Sequence, residues 1–293
     1  MDTNAAVREL VAAFNRRKPV RAGSLIITLY GDAIVPRGGS LSLSDITRIM
    51  QLFRIDNGHV RTAISRLTTE KWLERKKVGR NTFYRLSKAG EGEFAAATKR
   101  IYFSRKAEAP SSIRLALLNG EAKNRACQRK ALEDAGFAAF NAMTYVYAGS
   151  APAPKSAKGI QLLDAPVSAE AFEILRASYN LDALAARYRD FIELFRKLRE
   201  ALARKAALGD ADALVVRLLL IQEFRRIVLR EPALPSSMLP TGWPGEEARR
   251  AAGDIYSKVL QGFERELDLC QADETHKLPK PNSSLTQRFA AMR

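Results

Sequence analysis

The chain of 293 residues has only two cysteines, two histidines and two tryptophans. Cys127 and Cys270 are too few for the disulfide framework of a small secreted domain. Neither stands in C-x-x-C spacing or beside a histidine, so both are expected to be inert packing or surface residues in a reducing compartment. With His276 near the C-terminus and His59 far from it, no metal site is expected, and His59 reads as a capping or phosphate contact. No stretch approaches the ~20 uncharged apolar residues of a membrane span, and the first residues, MDTNAAVRELVAAFNRRKPV, lack the apolar region and cleavage site of a signal peptide. A cytoplasmic protein is expected. Paired carboxylates near a histidine, a GxSxG elbow, a Walker loop and a GxGxxG after a strand are also missing, so no enzyme is expected.

What is abundant is positive charge. There are 48 Lys and Arg against 32 Asp and Glu, a net charge of +16, which points to a polyanionic partner, either nucleic acid or a membrane surface. The excess is uneven: residues 1–105 hold 20 basic and 9 acidic residues, residues 106–293 hold 28 and 23. Val7 to Lys18 is only weakly the basic amphipathic helix a membrane would want, and most of the charge lies beyond it. Double-stranded nucleic acid is the favoured partner, with no membrane association.

Periodicity predicts a mostly helical α+β chain in three parts and a tail: 1–104, 110–166, 167–275 and 276–293. A short amphipathic helix over 5–17 packs as an arm; a second, Ser24 to Tyr30, ends at Gly31 and leads into a loop with at most one short strand. Ser44 is read as the cap of a helix from Asp45 to Phe53, and a three-residue turn separates it from a helix over Asn57 to Trp72. Leu73–Lys77 and Thr82–Leu86 alternate as a hairpin around Val78, Gly79, Arg80 and Asn81, and Ser87 caps a helix towards Phe103. Helix, short turn, helix and hairpin together make a winged helix-turn-helix. The break RKAEAPSS (105–112) precedes strand 113–118, helix 122–135 stopped by Gly136, one or two strands in 137–147, the linker APAPKSAKG (151–159) and a last strand from Ile160. From Ser168 the pattern is helical almost to Cys270, apart from the Pro-rich connector 234–245, and HKLPKPNSSLTQR is expected to fray.

In helix 57–72, Val60, Ala63, Ile64 and Leu67 form the docking stripe. Arg61, Thr62, Ser65, Arg66 and Thr69 then face outward, as types that donate to base edges and phosphates in the major groove. The hairpin offers Arg75, Lys76, Lys77, Arg80 and Asn81 to phosphates or the minor groove. A single helical arginine is most often a solvated one; here the combination with the short turn and the basic hairpin carries the DNA reading.

The segments SLIITLYGD (24–32), VRTAISRLTTEKWL (60–73), GRNTFYRLSKAG (79–90) and LREPALPSSMLPTGWPG (229–245) resemble the PaaX family, repressors of phenylacetic acid catabolism. The resemblance implies an N-terminal winged helix, a ferredoxin-like (Cas2-like) middle domain, a helical C-terminal domain and a homodimer on operator DNA. It also implies release by an aryl-CoA thioester such as phenylacetyl-CoA, with no other cofactor. APAPKSAKG stands where related chains usually carry a second middle-domain helix, and Tyr179 where a tryptophan is more typical. An acyl-CoA needs basic residues for its phosphates and an apolar pocket for its aryl group. Arg217, Arg225, Arg226, Arg230 and Trp243 are the candidates; interdomain salt bridges and a core anchor are the competing roles. The other function classes weighed are an architectural DNA-binding protein without effector and a metal-dependent nuclease, for which the strand ending in Leu117, Leu118 and Asn119 lacks the acids a metal would need.

Overall fold

The computed structural model describes residues 3–16, 22–103, 112–119, 121–149, 158–204, 206, 208–232, 234, 239–285 and 287–290. The break at 105–112 and the linker 151–159 therefore lie almost wholly outside the described residues. Contacts divide the chain into two compact units: Met1–Ser104, Tyr188–Leu229 and Gly245–Arg293 form one, Arg105–Arg187 and Arg230–Pro244 the other. The C-terminal helices thus group with the N-terminal third, where periodicity alone had set them apart.

In the first unit, α1 (Thr3–Arg16) buries Val7, Leu10, Val11 and Phe14, so its apolar face is spent on the protein body. The Phe14 ring meets Phe53 edge-on at 6.3 Å, and Asn15 donates to the Phe53 carbonyl at 3.0 Å. α2 (Ala22–Leu29) does not stop at Gly31; it widens into a π-helical turn, Tyr30–Ile34, and tightens to a 3-10 turn, Val35–Arg37. Gly31 serves packing instead of termination, since a Cβ there would lie 2.2 Å from the Phe94 ring. The chain reverses at Gly38 and Gly39, both at positive φ, and enters β1 (Ser40–Ser42). α3 (Leu43–Leu52) is capped by Ser42, not Ser44: the Ser42 hydroxyl accepts from the Asp45 amide at 3.0 Å. Then follow α4 (Asn57–Thr69), β2 (Leu73–Val78), β3 (Asn81–Leu86) and α5 (Lys88–Tyr102), the last capped by Ser87 as expected. The small antiparallel sheet has the order β1-β3-β2.

A buried ionic cluster explains why distant helices join this unit. Asp32, in the π-turn, accepts from Arg217 Nε at 2.7 Å, from the Tyr102 hydroxyl at 2.5 Å and from Arg288 Nη1 at 3.0 Å. Arg217 also donates to the Tyr256 hydroxyl at 2.6 Å and lies between the Tyr256 and Phe263 rings. Burial opposes ionisation of Asp32, but the two guanidinium groups and these hydrogen bonds outweigh it and hold its carboxyl below the usual range. Five segments meet here: the π-turn, the end of α5, α9 (Asp210–Val228), α10 (Gly245–Leu267) and the C-terminal tail.

The tail is the clearest departure from expectation. Far from fraying, it buries Leu278, Leu285, Arg288 and Phe289. Arg288 donates to the Asp32 carbonyl at 2.6 Å, and Phe289 packs on Tyr102, Phe224 and Tyr256. Its proline-rich, polar composition hid four anchoring side chains spaced without periodicity.

In the second unit, β4 (Ser112–Leu118), β5 (Ala138–Ala139), β6 (Thr144–Ala148) and β7 (Ile160–Pro166) form an antiparallel sheet of order β5-β6-β4-β7. α6 (Arg125–Asp134) follows β4 after a 3-10 turn, and Gly136, at φ +89°, ends it as expected. One core gathers Ala116, Leu118, Leu132, Phe137 and Tyr145. The other gathers Ile113, Val146, Leu181 and Leu234 with Ala171 and Leu175 of α7 (Ala169–Ser178). Ser168 caps α7. α8 (Leu181–Ala203) contributes its residues up to Arg187 to this unit.

Candidate nucleic-acid interface

The order α3, turn, α4, hairpin is held by local hydrogen bonds. The amides of Phe53 and Ile55 both donate to the Met50 carbonyl, at 3.0 and 3.2 Å, around Arg54 at φ 59°. Asp56 caps α4, accepting from the His59 amide at 3.0 Å, and the His59 ring turns back onto the same carboxylate. These contacts draw the Asp56 carboxyl below its ordinary range. His59 is thus part of the cap, one of the two roles read from sequence. α4 buries Val60, Ala63, Ile64 and Leu67, the expected stripe, beside Ile46, Ile49 and Met50 of α3.

Every residue proposed to meet DNA is exposed: Arg61, Thr62, Ser65, Arg66 and Thr69 on α4, and Lys76, Lys77, Arg80 and Asn81 on the hairpin. They are not equally free. The Thr62 and Thr69 hydroxyls donate to the carbonyls of Gly58 and Ser65 one turn back, at 3.0 and 3.1 Å. Arg66 Nε lies 3.6 Å from Glu70, and its Nη2 reaches to 2.9 Å from where a Cβ at Gly23 of α2 would stand. For Arg61 no ion pair or hydrogen bond occurs among the described residues.

The hairpin pairs Leu73 with Leu86 and Val78 with Asn81, leaving a two-residue turn at Gly79 (φ 56°) and Arg80. Residues 74 to 77 are exposed on both strand faces. Arg75 was read in the hairpin; its position adds something the sequence did not give. With Arg61, Ser65, Thr68, Thr69 and Tyr84 it lines a cleft of about 310 Å³ between α4 and the sheet.

The effector candidates are placed otherwise. Arg217 is fully buried and spent on Asp32 and Tyr256, so no phosphate reaches it in this structure. Arg225 donates to the Ser24 hydroxyl at 2.8 Å, and Arg226 pairs with Glu223 at 3.5 Å. These three belong to the first unit; Arg230 and Trp243 belong to the second. Arg230 is exposed, whereas Trp243 packs on the core and donates to Glu231 at 3.1 Å, as a core anchor does. Tyr179 donates to the Gly136 carbonyl at 3.1 Å. Burial pushes the Cys270 thiol up to about 11, consistent with an inert residue. Among the described residues no group of three or more His, Cys, Asp or Glu could hold a metal ion, and no helix is long and apolar enough to cross a membrane.

Comparison with known proteins matches residues 21–90 to the family model "PaaX-like protein" and residues 179–268 to "PaaX-like protein C-terminal domain". The chain is 31% identical over 293 residues to the Transcriptional repressor PaaX of Escherichia coli (strain K12), covering 94% of this chain and 92% of that one. Among solved structures it resembles the Uncharacterized protein Rv0674 from Mycobacterium tuberculosis, with a TM-score of 0.51, 17% identity, and coverage of 76% of this chain and 90% of the other, a likeness of fold alone.

Proposed function

The chain belongs to the PaaX-like family, and from that premise we propose that it is a transcriptional repressor of phenylacetate-type catabolism, a DNA-binding regulator and not an enzyme. Residues 1–104 form a winged helix-turn-helix in which α4 enters the major groove and the β2–β3 hairpin is the wing. The observation that carries this reading is the shared exposure of Arg61, Ser65 and Arg66 on one face of α4, together with the exposed basic residues 75–77 of β2. A groove about 12 Å wide takes one helix. A homodimer would set two such helices one helical turn, or a multiple, apart on a palindromic operator.

The sheet order β5-β6-β4-β7, antiparallel throughout with α6 crossing from β4 to β5, supports a ferredoxin-like middle domain. An aryl-CoA thioester, phenylacetyl-CoA first, is the proposed effector that releases DNA. Arg217 takes no part in holding it, because its charge is already paired.

Selection of duplexes from a random library on the purified chain tests the reading. It should enrich an inverted repeat, and phenylacetyl-CoA should release the selected duplex. Recovery of unrelated sequences would leave a nonspecific DNA-binding protein, and release by no thioester would remove the effector.

A further inference from the structure

The segment after α10 is built across the winged-helix region and ends a carboxylate on the wing. The end of α10 and the start of this segment are tied by Arg37, which pairs with Glu264 and, at 2.9 Å, with Asp268, and by Arg48, which pairs with Glu266 and lies 3.2 Å from Cys270 Sγ. Its middle lies along β1: the Ser42 amide donates to the Gln271 carbonyl at 3.3 Å and the Ser40 hydroxyl to the Ala272 carbonyl at 2.8 Å. There it makes a tight turn closed by the Gln271–Lys277 bridge and by the Ala272 amide on the His276 carbonyl at 3.0 Å.

The two acids of that turn have different tasks. Asp273 is consumed within it, accepting from the amides of Thr275 and His276, each at 2.8 Å. Glu274 is not: among the described residues its carboxylate makes no hydrogen bond or ion pair. Its Oε1 instead rests against the wing tip, 2.7 Å from where a Cβ at Gly79 would stand. The basic positions nearest Gly79 in the chain are Arg80, directly after it, and Lys77, two residues before it, both exposed.

Resting on the DNA reading above, we propose that Glu274 is a built-in electrostatic brake on the wing. A negative charge carried beside Gly79 by this turn lies well within the Debye length, ~8–10 Å, of any phosphate that the wing approaches. It lowers the attraction of the tip for DNA, and full engagement of the wing requires the 271–277 turn to yield. The strap is anchored to α10 and, through Arg288, to the Asp32 cluster, so a change in the helical part of this unit would move the acid relative to the wing.

The test compares wild type with Glu274→Gln in the full chain, by fluorescence anisotropy on a duplex selected with the wild-type protein. At ~0.1 M salt the variant should bind roughly three- to tenfold tighter, and the gain should vanish towards ~0.5 M salt as screening removes the repulsion. Glu247→Gln, an exposed acid at the start of α10, should bind as wild type does. Equal or weaker binding by Glu274→Gln overturns the brake while wild-type binding keeps the interface. Absence of duplex binding by both proteins overturns the interface and the brake with it.

Discussion

Asp32→Asn should destabilise the first unit more than any comparable isosteric change. Arg217 Nε at 2.7 Å and Arg288 Nη1 at 3.0 Å from the carboxylate each contribute a gross attraction of about 6 kcal/mol at an effective dielectric of ~20. Desolvation offsets much of this, but removing one partner of a buried ion pair leaves the others uncompensated and costs about 3–5 kcal/mol. Two guanidinium groups would then share a site where the remaining carboxylate in ion-pair range among the described residues is Glu264, 3.7 Å from Arg217 Nη1 and already paired with Arg37. For a unit of this size each kcal/mol moves Tm by roughly 2–4 °C, so a loss of about 4 kcal/mol lowers it by roughly 8–16 °C. In a Trp243→Phe background Trp72 alone reports unfolding, and it lies in this unit. The double variant with Arg217→Met should lose less than the sum of the two singles by at least ~1.5 kcal/mol, because both charges leave together. The pH dependence has a defined sign. The folded pKa of Asp32 is depressed, so its contribution is complete above the unfolded value of ~3.9 and is lost as pH falls towards the folded one. The gap between wild type and Asp32→Asn should therefore narrow in acid. A destabilisation below ~1 kcal/mol at neutral pH would refute the view that this cluster binds the N-terminal and C-terminal segments into one unit.

Arg61→Ala or Arg66→Ala should weaken binding to a selected duplex by about 1–3 kcal/mol and leave binding to random DNA nearly unchanged, whereas Arg80→Ala should weaken both and reduce the salt slope by ~1; equal losses at all three would remove the division between base and phosphate contacts. Deletion of residues 281–293 removes Arg288 and Phe289, and circular dichroism should show the truncated chain melting several degrees lower; unchanged melting would return the tail to the dispensable role its composition suggests. Phenylacetyl-CoA at ~100 times its Kd should stabilise the protein by about 2.7 kcal/mol in a thermal-shift assay, and equal stabilisation by free phenylacetate would show that the CoA moiety is not recognised.

The element order over residues 43–102 was legible because its signals are local: the Val60, Ala63, Ile64, Leu67 stripe, a hairpin turning at Gly79, and the Ser87 cap all follow from short-range periodicity and turn chemistry, although the strands run one residue further on each side and leave a two-residue turn where four were expected. Small errors there have local causes too. Two serines flank the start of α3, and the one whose backbone is extended, Ser42, takes the cap. What sequence could not give is long-range pairing. Asp32 and Arg217 are 185 residues apart and Asp32 and Arg288 256 apart, and nothing in their neighbours distinguishes a buried charge from a solvated one. The same blindness made Arg217 a plausible phosphate ligand and left the contact of Glu274 with the β2–β3 turn invisible.

The most direct test of DNA reading by α4 is a double-mutant cycle between Arg61 and a guanine of the selected site, replaced by 7-deazaguanine to remove the N7 acceptor. The account predicts that, for at least one guanine, the base change costs wild type about 1–3 kcal/mol and costs Arg61→Ala almost nothing further. If every guanine replacement cost the two proteins the same, and the same held for Arg66→Ala, α4 would not be the element that reads the bases.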